Sequence, residues 1–309
     1  MPRVTVGGER FSMTATVPEP VATMLQRVKR SAGSRSTPAE PLAVADHLPE
    51  LHVRQRDPDA ALAFLPGPRG PAEEGASQAE RIASIWWYHT IELPGGVVTP
   101  GFYDHRPLVA RYGLPDNLAG RRVLDVATFD GFWAFEMERR GAKVVATDID
   151  RVSELDLPPQ ARDALLAHGR DRPSGEGFLL AHEALGSHAE RVICNVYDLD
   201  PAELGTFDFV HVADLLLHLR SPIAALQAIR RVTGESALIV DCFDPALGAG
   251  LTRYFGGWSG LHWWAPSLDT LAQMVIDAGF RDVEVKQVYA LGTADHPQGL
   301  QRAGLLAHV

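Results

Sequence analysis

Apolar and polar positions are organised differently in the two parts of this chain. From Arg121 onward, short runs rich in Val, Ile, Leu and Phe alternate with segments of helical length and composition. Residues 121–127, 143–147, 191–196, 207–213, 236–243 and 283–290 read as strands, and 302–308 as a last strand. Residues 131–140, 160–168, 222–232 and 267–278 read as the helices between them. Short β-rich runs separated by helices predict an α/β fold, a mostly parallel sheet covered on both faces with right-handed crossovers. Residues 280–309 read as two strands joined by a Gly/Pro/His loop, so the sheet is expected to finish in an antiparallel hairpin.

Ahead of this lies a less regular region. Residues 1–80 read as a helical or irregular extension, with helical periodicity at 17–30 and a second helix at 41–56. Segments 31–38 and 65–76, rich in Ser, Pro and Gly, read as loops or linkers. Residues 81–118 contain ASIWWYHTIELPGGVVTPGFYDHRPL, with aromatics, histidines and glycines but no long period, which suits a pocket wall or lid. The expected division is therefore 1–80, 81–118 and 119–309.

Composition narrows the class. The 309 residues are 46% apolar and 22% charged, ample for a buried core. Charged residues recur too often for an apolar run of about 18, so no membrane span is expected. The start, MPRVTVGGER, lacks the pattern of a secretory signal. Cys194 and Cys242 are the only cysteines, so neither a disulfide framework nor a zinc site of paired thiolates is expected, and a cytoplasmic location is the default. Residues 1–118 carry 12 basic and 13 acidic side chains, and residues 119–309 carry 17 and 26. An acidic body is a poor partner for a polyanion. The basic cluster of Arg27, Lys29, Arg30 and Arg35, with Arg54 and Arg56 beyond it, reads as a solvated helix face at least as well as a nucleic-acid contact. The expected partner is a small molecule, not nucleic acid or a membrane, and association as a homodimer is left open.

In such a sheet, ligands bind beyond the carboxyl ends of the strands, where the strand order reverses. The first strand runs into VLDVATFDGFWAF, with Asp125 in the strand end and the turn Ala127-Thr128-Phe129-Asp130-Gly131 opening a helix. Small residues in such a turn let the main chain approach a ligand. Ala127 and Phe129 stand where glycines are common. The second strand ends VVATDID, and Asp148, followed by Ile149, is placed to accept both ribose hydroxyls of an adenosine group. The third ends Cys194-Asn195-Val196-Tyr197-Asp198, where Asn195 or Asp198 with a backbone N–H offers contacts to an adenine edge. Taken singly, Asn195 and Asp198 read more often as turn residues and Asp148 has the alternative of a solvated loop acid; together they point to a nucleoside site. A dinucleotide needs its pyrophosphate at the helix N-terminus. Phe129 crowds that approach, and Asp130 either brings negative charge to the mouth or caps the helix. S-adenosylmethionine, with a sulfonium, an ammonium and no phosphate, fits better, and Asp125 is placed to hold the ammonium directly or through water.

The stretches VLDVATFDGFWAFEMERRGAKVVATDID and CNVYDLDPAELGTFDFVHVADLLLHLRSP, with the terminal hairpin, resemble a class I S-adenosylmethionine-dependent methyltransferase over residues 119–309. His218 and Pro222 stand at matching places after the fourth strand. The upstream WYHTIELPGGVVTPGFYD resembles the branch of the tRNA wobble-uridine methyl- and carboxymethyl-transfer enzymes. The resemblance implies a Rossmann-like sheet of seven strands, the last one reversed. It implies cofactor contacts at Asp125, Ala127, Gly131, Asp148, Asn195, Val196 and Ala213. The neighbouring Thr128 and Ile149 join that set. The branch adds Thr99, Pro100 and Gly101, with Trp86 and Trp87, near the cofactor. No basic residue matches the carboxylate-reading lysine of the tRNA enzymes.

Methyl transfer is an in-line displacement in which the protein aligns the acceptor and, where needed, removes its proton. His218 is the first candidate base and Asp214, after the same strand, the second; their alternatives are a loop-holding histidine and a helix cap. His89, Glu92, Tyr103, Asp104 and His105 come from the lid-like stretch and are candidates to face the acceptor. RYFGGWSGLHWWAPS reads as a mobile loop whose Tyr254, Phe255, Trp258, His262, Trp263 and Trp264 line a substrate pocket, or else plug the core. Asp214, Asp241 and Asp244 are too scattered to make a metal motif, so no metal is expected. The leading expectation is O- or N-methylation of a small, specialised-metabolite acceptor. The alternatives are tRNA wobble-uridine modification, an intramolecular cyclisation of S-adenosylmethionine, and a non-catalytic cofactor-binding scaffold.

Overall fold

The structure, a computed structural model, describes residues 3–8, 11–16, 56–63, 65, 75–292 and 300–309. The chain divides into two compact units, residues 1–54 and 55–309. In the first, strands β1 (Arg3–Gly8) and β2 (Phe11–Thr16) form an antiparallel pair. The helices expected at 17–30 and 41–56, and all of the basic cluster except Arg56, lie outside the described residues.

The second unit begins with helices α1 (Pro58–Leu62) and α2 (Gln78–Ser84), then the short strands β3 (Glu92–Leu93) and β4 (Val97–Val98). Its sheet strands are β5 (Arg122–Val126), β6 (Lys143–Asp148), β7 (Glu190–Ile193), β8 (Phe207–Ala213) and β9 (Thr233–Cys242). Among them lie α3 (Phe132–Arg139), α4 (Pro159–Ala167), α5 (Glu176–Leu185), α6 (Pro201–Leu204) and α7 (Pro222–Val232). A hairpin of β10 (Thr252–Ser259) and β11 (His262–Pro266) follows, then α8 (Leu268–Asp277), β12 (Asp282–Leu291) and β13 (Leu300–His308).

The seven-stranded sheet has the order β12-β13-β9-β8-β5-β6-β7. Pairing is parallel from β9 to β7, whereas β13 runs antiparallel to both of its neighbours. Strand order reverses between β5 and β8, which fixes the crevice for a ligand at their carboxyl ends. Period-two alternation sends side chains to opposite faces. Leu124, Val126, Val210, Val212 and Ile239 pack with α7 and α8, through Leu226, Ile229, Leu271 and Val275. Val123, Val144, Phe209 and Val240 pack on the other face with α3, Phe178, Trp87 and Tyr112. Burial on both faces is what the parallel strands at the centre of the sheet require.

Several elements differ from expectation: the strand pair β1–β2 lies in the stretch expected as a helical or irregular extension, and α6 has no counterpart in the pattern. EGFLLAHEAL forms α5, a helix that the pattern does not predict. The aromatic stretch expected as a mobile loop is the antiparallel hairpin β10–β11, with a register irregularity between Tyr254 and Ser259. Its partners explain this: Trp258 packs beside a cluster of Leu157, Ala161 and Leu165, so a long-range contact decides what local glycines would have left open.

Candidate active site

The turn after β5 is held by side chains. Thr128 Oγ1 donates to Asp125 Oδ2 at 2.7 Å, and Asp125 Oδ1 lies 2.7 Å from His211 Nδ1 on β8. His211 Nε2 in turn meets the Tyr112 hydroxyl at 3.1 Å. Ala127 (φ 56°) and Phe129 (φ 53°) both take the left-handed conformation that glycine adopts freely. Gly131 (φ 88°) precedes α3, and a Cβ there would sit 2.5 Å from Phe135 and 2.7 Å from Phe178. The pattern therefore keeps glycine at the crowded position and tolerates side chains at the two more open ones.

Asp148 closes β6 and is buried. Its Oδ2 accepts from Phe129 N–H at 2.7 Å and its Oδ1 from Ile149 N–H at 2.8 Å. Burial pushes its carboxyl up to about 6, against the pull of those two bonds. Each oxygen keeps a lone pair for a vicinal diol. Past β7, Asn195 Oδ1 accepts from Tyr197 N–H at 3.2 Å, and the buried Val196 packs into the core.

Asp130 neither caps α3 nor faces the mouth. Its Oδ2 accepts from the N–H groups of Tyr88 and His89, both at 2.8 Å, and its Oδ1 meets His89 Nδ1. The carboxylate thus pins the segment before the sheet onto the turn. That segment folds on itself: Tyr103 N–H donates to Tyr88 O and Thr90 N–H to Tyr103 O, both at 2.8 Å. Thr99 Oγ1, fully internal, accepts from Ile91 N–H and donates to His89 O. Gly101 passes so close to His89 and Thr90 that a Cβ would overlap their main chain. Pro100 is exposed, and Trp86 lies edge-on to Phe129 with ring centroids 5.5 Å apart.

On the other side of the switch point, Asp214 follows Ala213 at the tip of β8 with φ 48°. Arg302 Nε, on β13, lies 2.7 and 2.9 Å from its two oxygens, and Tyr88 Oη donates to Oδ2 at 3.1 Å. Burial works to raise the Asp214 carboxyl, but the Arg302 guanidinium holds it below the usual carboxylate value. Arg302 also lies 5.2 Å from the centre of the Tyr103 ring. Asp214 does not cap the following turn. Asp241 does, accepting from the N–H groups of Leu215 (3.0 Å), Leu216 (2.7 Å) and Leu217 (3.3 Å). Asp244 pairs with Arg253 at 2.8 Å, so all three scattered carboxylates have partners within the chain.

His218 ends that turn, and its Nδ1 lies 3.2 Å from the Leu261 carbonyl. A carbonyl only accepts, so Nδ1 carries the proton and Nε2 keeps a lone pair. Burial holds the His218 imidazole below its ordinary pKa, and therefore neutral. His262 stands beside it at 5.2 Å between ring centroids, its own pKa lowered to about 4 by burial. His105 is buried, neutral, lowered to about 3 by burial and by His89, and its Nδ1 has no partner.

The structure thus brings Asp125, Ala127, Thr128, Gly131, Asp148, Ile149 and Asn195 to one half of the rim, and Ala213, Asp214, His218 and His262 to the other. Tyr254 is 63% exposed, Trp258 packs on the small cluster beside Leu157, and Trp263 is buried with its indole N–H on Asp156 O at 2.6 Å. These three support the hairpin. Tyr88, His211 and Arg302 belong to the site without being singled out by the sequence pattern. One signal is available: Arg302 is the lone Lys, Arg, Asp or Glu in the mostly apolar run LQRAGLLAHV.

Residues 101–285 match a family model described as a methyltransferase domain. Magnesium-protoporphyrin O-methyltransferase of Rhodobacter capsulatus is 38% identical over 109 residues, covering 35% of this chain and 38% of that protein. A tRNA U34 carboxymethyltransferase of Methylococcus capsulatus is 29% identical over 177 residues, covering 55% of this chain and 48% of that protein. The chain therefore aligns with less than half of the length of either relative. Among solved structures, the N-terminal domain of EvdMO1 in the presence of SAH and D-fucose has a TM-score of 0.47 and 18% identity, covering 82% of this chain and 95% of that one. No helix among the described residues is long and apolar enough to cross a membrane.

Proposed function

The chain belongs to the methyltransferase-domain family, which uses S-adenosylmethionine, and from that premise we propose that it methylates an oxygen or nitrogen of a small-molecule acceptor. The observation that carries this reading is His218 on the turn after β8, its Nδ1 on the Leu261 carbonyl so that Nε2 is the nitrogen with the lone pair. When bound, S-adenosylmethionine supplies a methyl already activated by its sulfonium, and it leaves as a neutral thioether.

The residues present fit that donor. The free lone pairs of Asp148 suit the ribose diol, and Asn195 and the Val196 N–H suit the adenine edge, whereas Asp125, buried with its oxygens on Thr128 and His211, braces the turn rather than presenting itself to the ammonium. Asp130 is withdrawn under the 88–89 segment, so it brings no repulsion to the mouth. For a hydroxyl acceptor, His218 Nε2 would take the acceptor's proton. Asp214 is committed to Arg302, so its part is to hold Tyr88 and the rim in place rather than to accept a proton.

The net charge of −10 supports a small acceptor over RNA. The test is titration calorimetry with S-adenosylhomocysteine, then transfer of labelled methyl from S-adenosylmethionine to small-molecule pools and to bulk tRNA. Label in small molecules supports the proposal. Label in tRNA replaces it with wobble-uridine modification, which the 29% identical relative favours. Donor consumption without an external acceptor points to cyclisation. Binding without turnover leaves a scaffold, and no binding at all ends the methyl-transfer reading.

A further inference from the structure

Resting on the reading of His218 as proton acceptor, we infer that Leu261 is a positioning residue, its carbonyl fixing the His218 tautomer, and that a node at Asp156 holds it there. Gly260 (φ 61°) and Leu261 (φ 62°) make the two-residue turn between the paired Ser259 and His262. Both positions need the left-handed conformation that such tight hairpin turns impose. Gly260 adopts it freely, but Leu261 adopts it against the steric preference of an L residue. A strained residue whose carbonyl meets the candidate base is a pairing of observations that a surface hairpin has no need of.

The two ends of the His218–Leu261 bond ride on different elements. His218 sits on the turn after β8, and Leu261 at the tip of β10–β11. Two residues further along each element, Arg220 and Trp263 converge on the same place. Arg220 N–H donates to Asp156 Oδ2 at 2.7 Å, and Trp263 Nε1 donates to the Asp156 carbonyl at 2.6 Å. Tyr197 Oη donates to the same Oδ2 at 2.6 Å and accepts from Ser221 N–H at 3.1 Å. The Arg220 guanidinium donates to Leu157 O at 2.8 Å and lies 5.1 Å from the centre of the Trp263 ring. Asp156 therefore stitches the turn that carries His218 to the hairpin that carries Leu261.

The other groups around His218 leave the choice of tautomer to that carbonyl. His262 is neutral, and the charges of Asp214 and Arg302 are paired with each other. With Nδ1–H committed to Leu261, the lone pair is confined to Nε2, the atom that the proposed reaction uses. Loosening the node frees the imidazole to exchange tautomers.

Long-range ¹H–¹⁵N NMR on the full chain with labelled histidine reads this directly and needs no acceptor. The wild type is expected to show a pyrrole-type Nδ1 and a pyridine-type Nε2 for His218, the signal being assigned with His218→Gln. Tyr197→Phe removes one hydroxyl from the node, and Asp156→Asn weakens it isosterically. Complete loss of the His218–Leu261 bond would shift the tautomer ratio about five-fold toward Nε2–H, so each variant is expected to shift it by up to that amount. If Tyr197→Phe fails to fold, Asp156→Asn carries the comparison. A wild-type His218 that is Nε2–H or doubly protonated at neutral pH overturns the inference, as does an unaltered ratio in folded variants. Failure of the methyl-transfer reading shows separately, as absence of S-adenosylhomocysteine binding by calorimetry, and leaves the tautomer result standing.

Discussion

The two halves of the rim are built by different means. At the tips of β5, β6 and β7 the site is made from contiguous turns whose main-chain N–H groups meet nearby carboxylates, as Phe129 and Ile149 meet Asp148. At the tips of β8, β9 and β13 it is made from side chains far apart in the chain. Asp214 and Arg302 are 88 positions apart, and Tyr88 and Asp214 are 126 apart. The first half rests mainly on main-chain donors of short turns, with His211, Tyr88 and His89 tying the β5 turn to the rest of the unit. The second is a network that loses several partners when one is removed.

That contrast breaks most visibly at the buried ion pair. Arg302→Met leaves Asp214 charged and unpaired, and is expected to cost about 3–5 kcal/mol, whereas Asp214→Asn with Arg302→Met recovers much of it. Thermal unfolding checks this, with a fall on the order of 10 °C expected for the single variant. If the single and double variants melt alike, the pair is not coupled and the contrast fails.

In the local half, Gly131→Ala is expected to cost about 1–3 kcal/mol, because the new methyl meets Phe135 and Phe178 at a positive φ. Chemical denaturation measures it. Asp148→Asn is expected to weaken S-adenosylhomocysteine binding about ten-fold through loss of a charged acceptor. Since Asp148 titrates near 6 in the folded chain, wild-type affinity should fall as pH drops through 6 while the variant stays flat. The folded-state pKa lies above the ordinary 3.8, so the native state binds the extra proton. The contribution of Asp148 to stability is therefore fully present below the ordinary value and is lost as pH rises to about 6. Calorimetry and denaturation across that window read both signs.

The smallest effect belongs to Ala127→Gly. Relief of the left-handed strain at φ 56° and the added freedom of the unfolded chain nearly offset, so a change under about 1 kcal/mol is expected. A large loss there would show that the Ala127 methyl is itself part of the site.

The sheet, most of its helices and the carboxylate at the end of β6 are legible in the sequence alone, because alternation, helix length and a residue's place after an apolar run are local properties. Residues 207–213 and 222–232 fall where expected for that reason. Asp130 and Asp214 cannot be assigned that way. A carboxylate in a turn looks the same whether it caps a helix, pins a distant segment or neutralises an arginine, and its energy depends on which donors folding brings within about 3 Å. The hairpin β10–β11 belongs with them: glycines and aromatics in RYFGGWSGLHWW permit a loose loop, and only packing against Leu157, Asp156 and Arg220 makes it a strut. Periodicity is written along the chain, but the choice of partner is made by burial, which sums over the whole molecule.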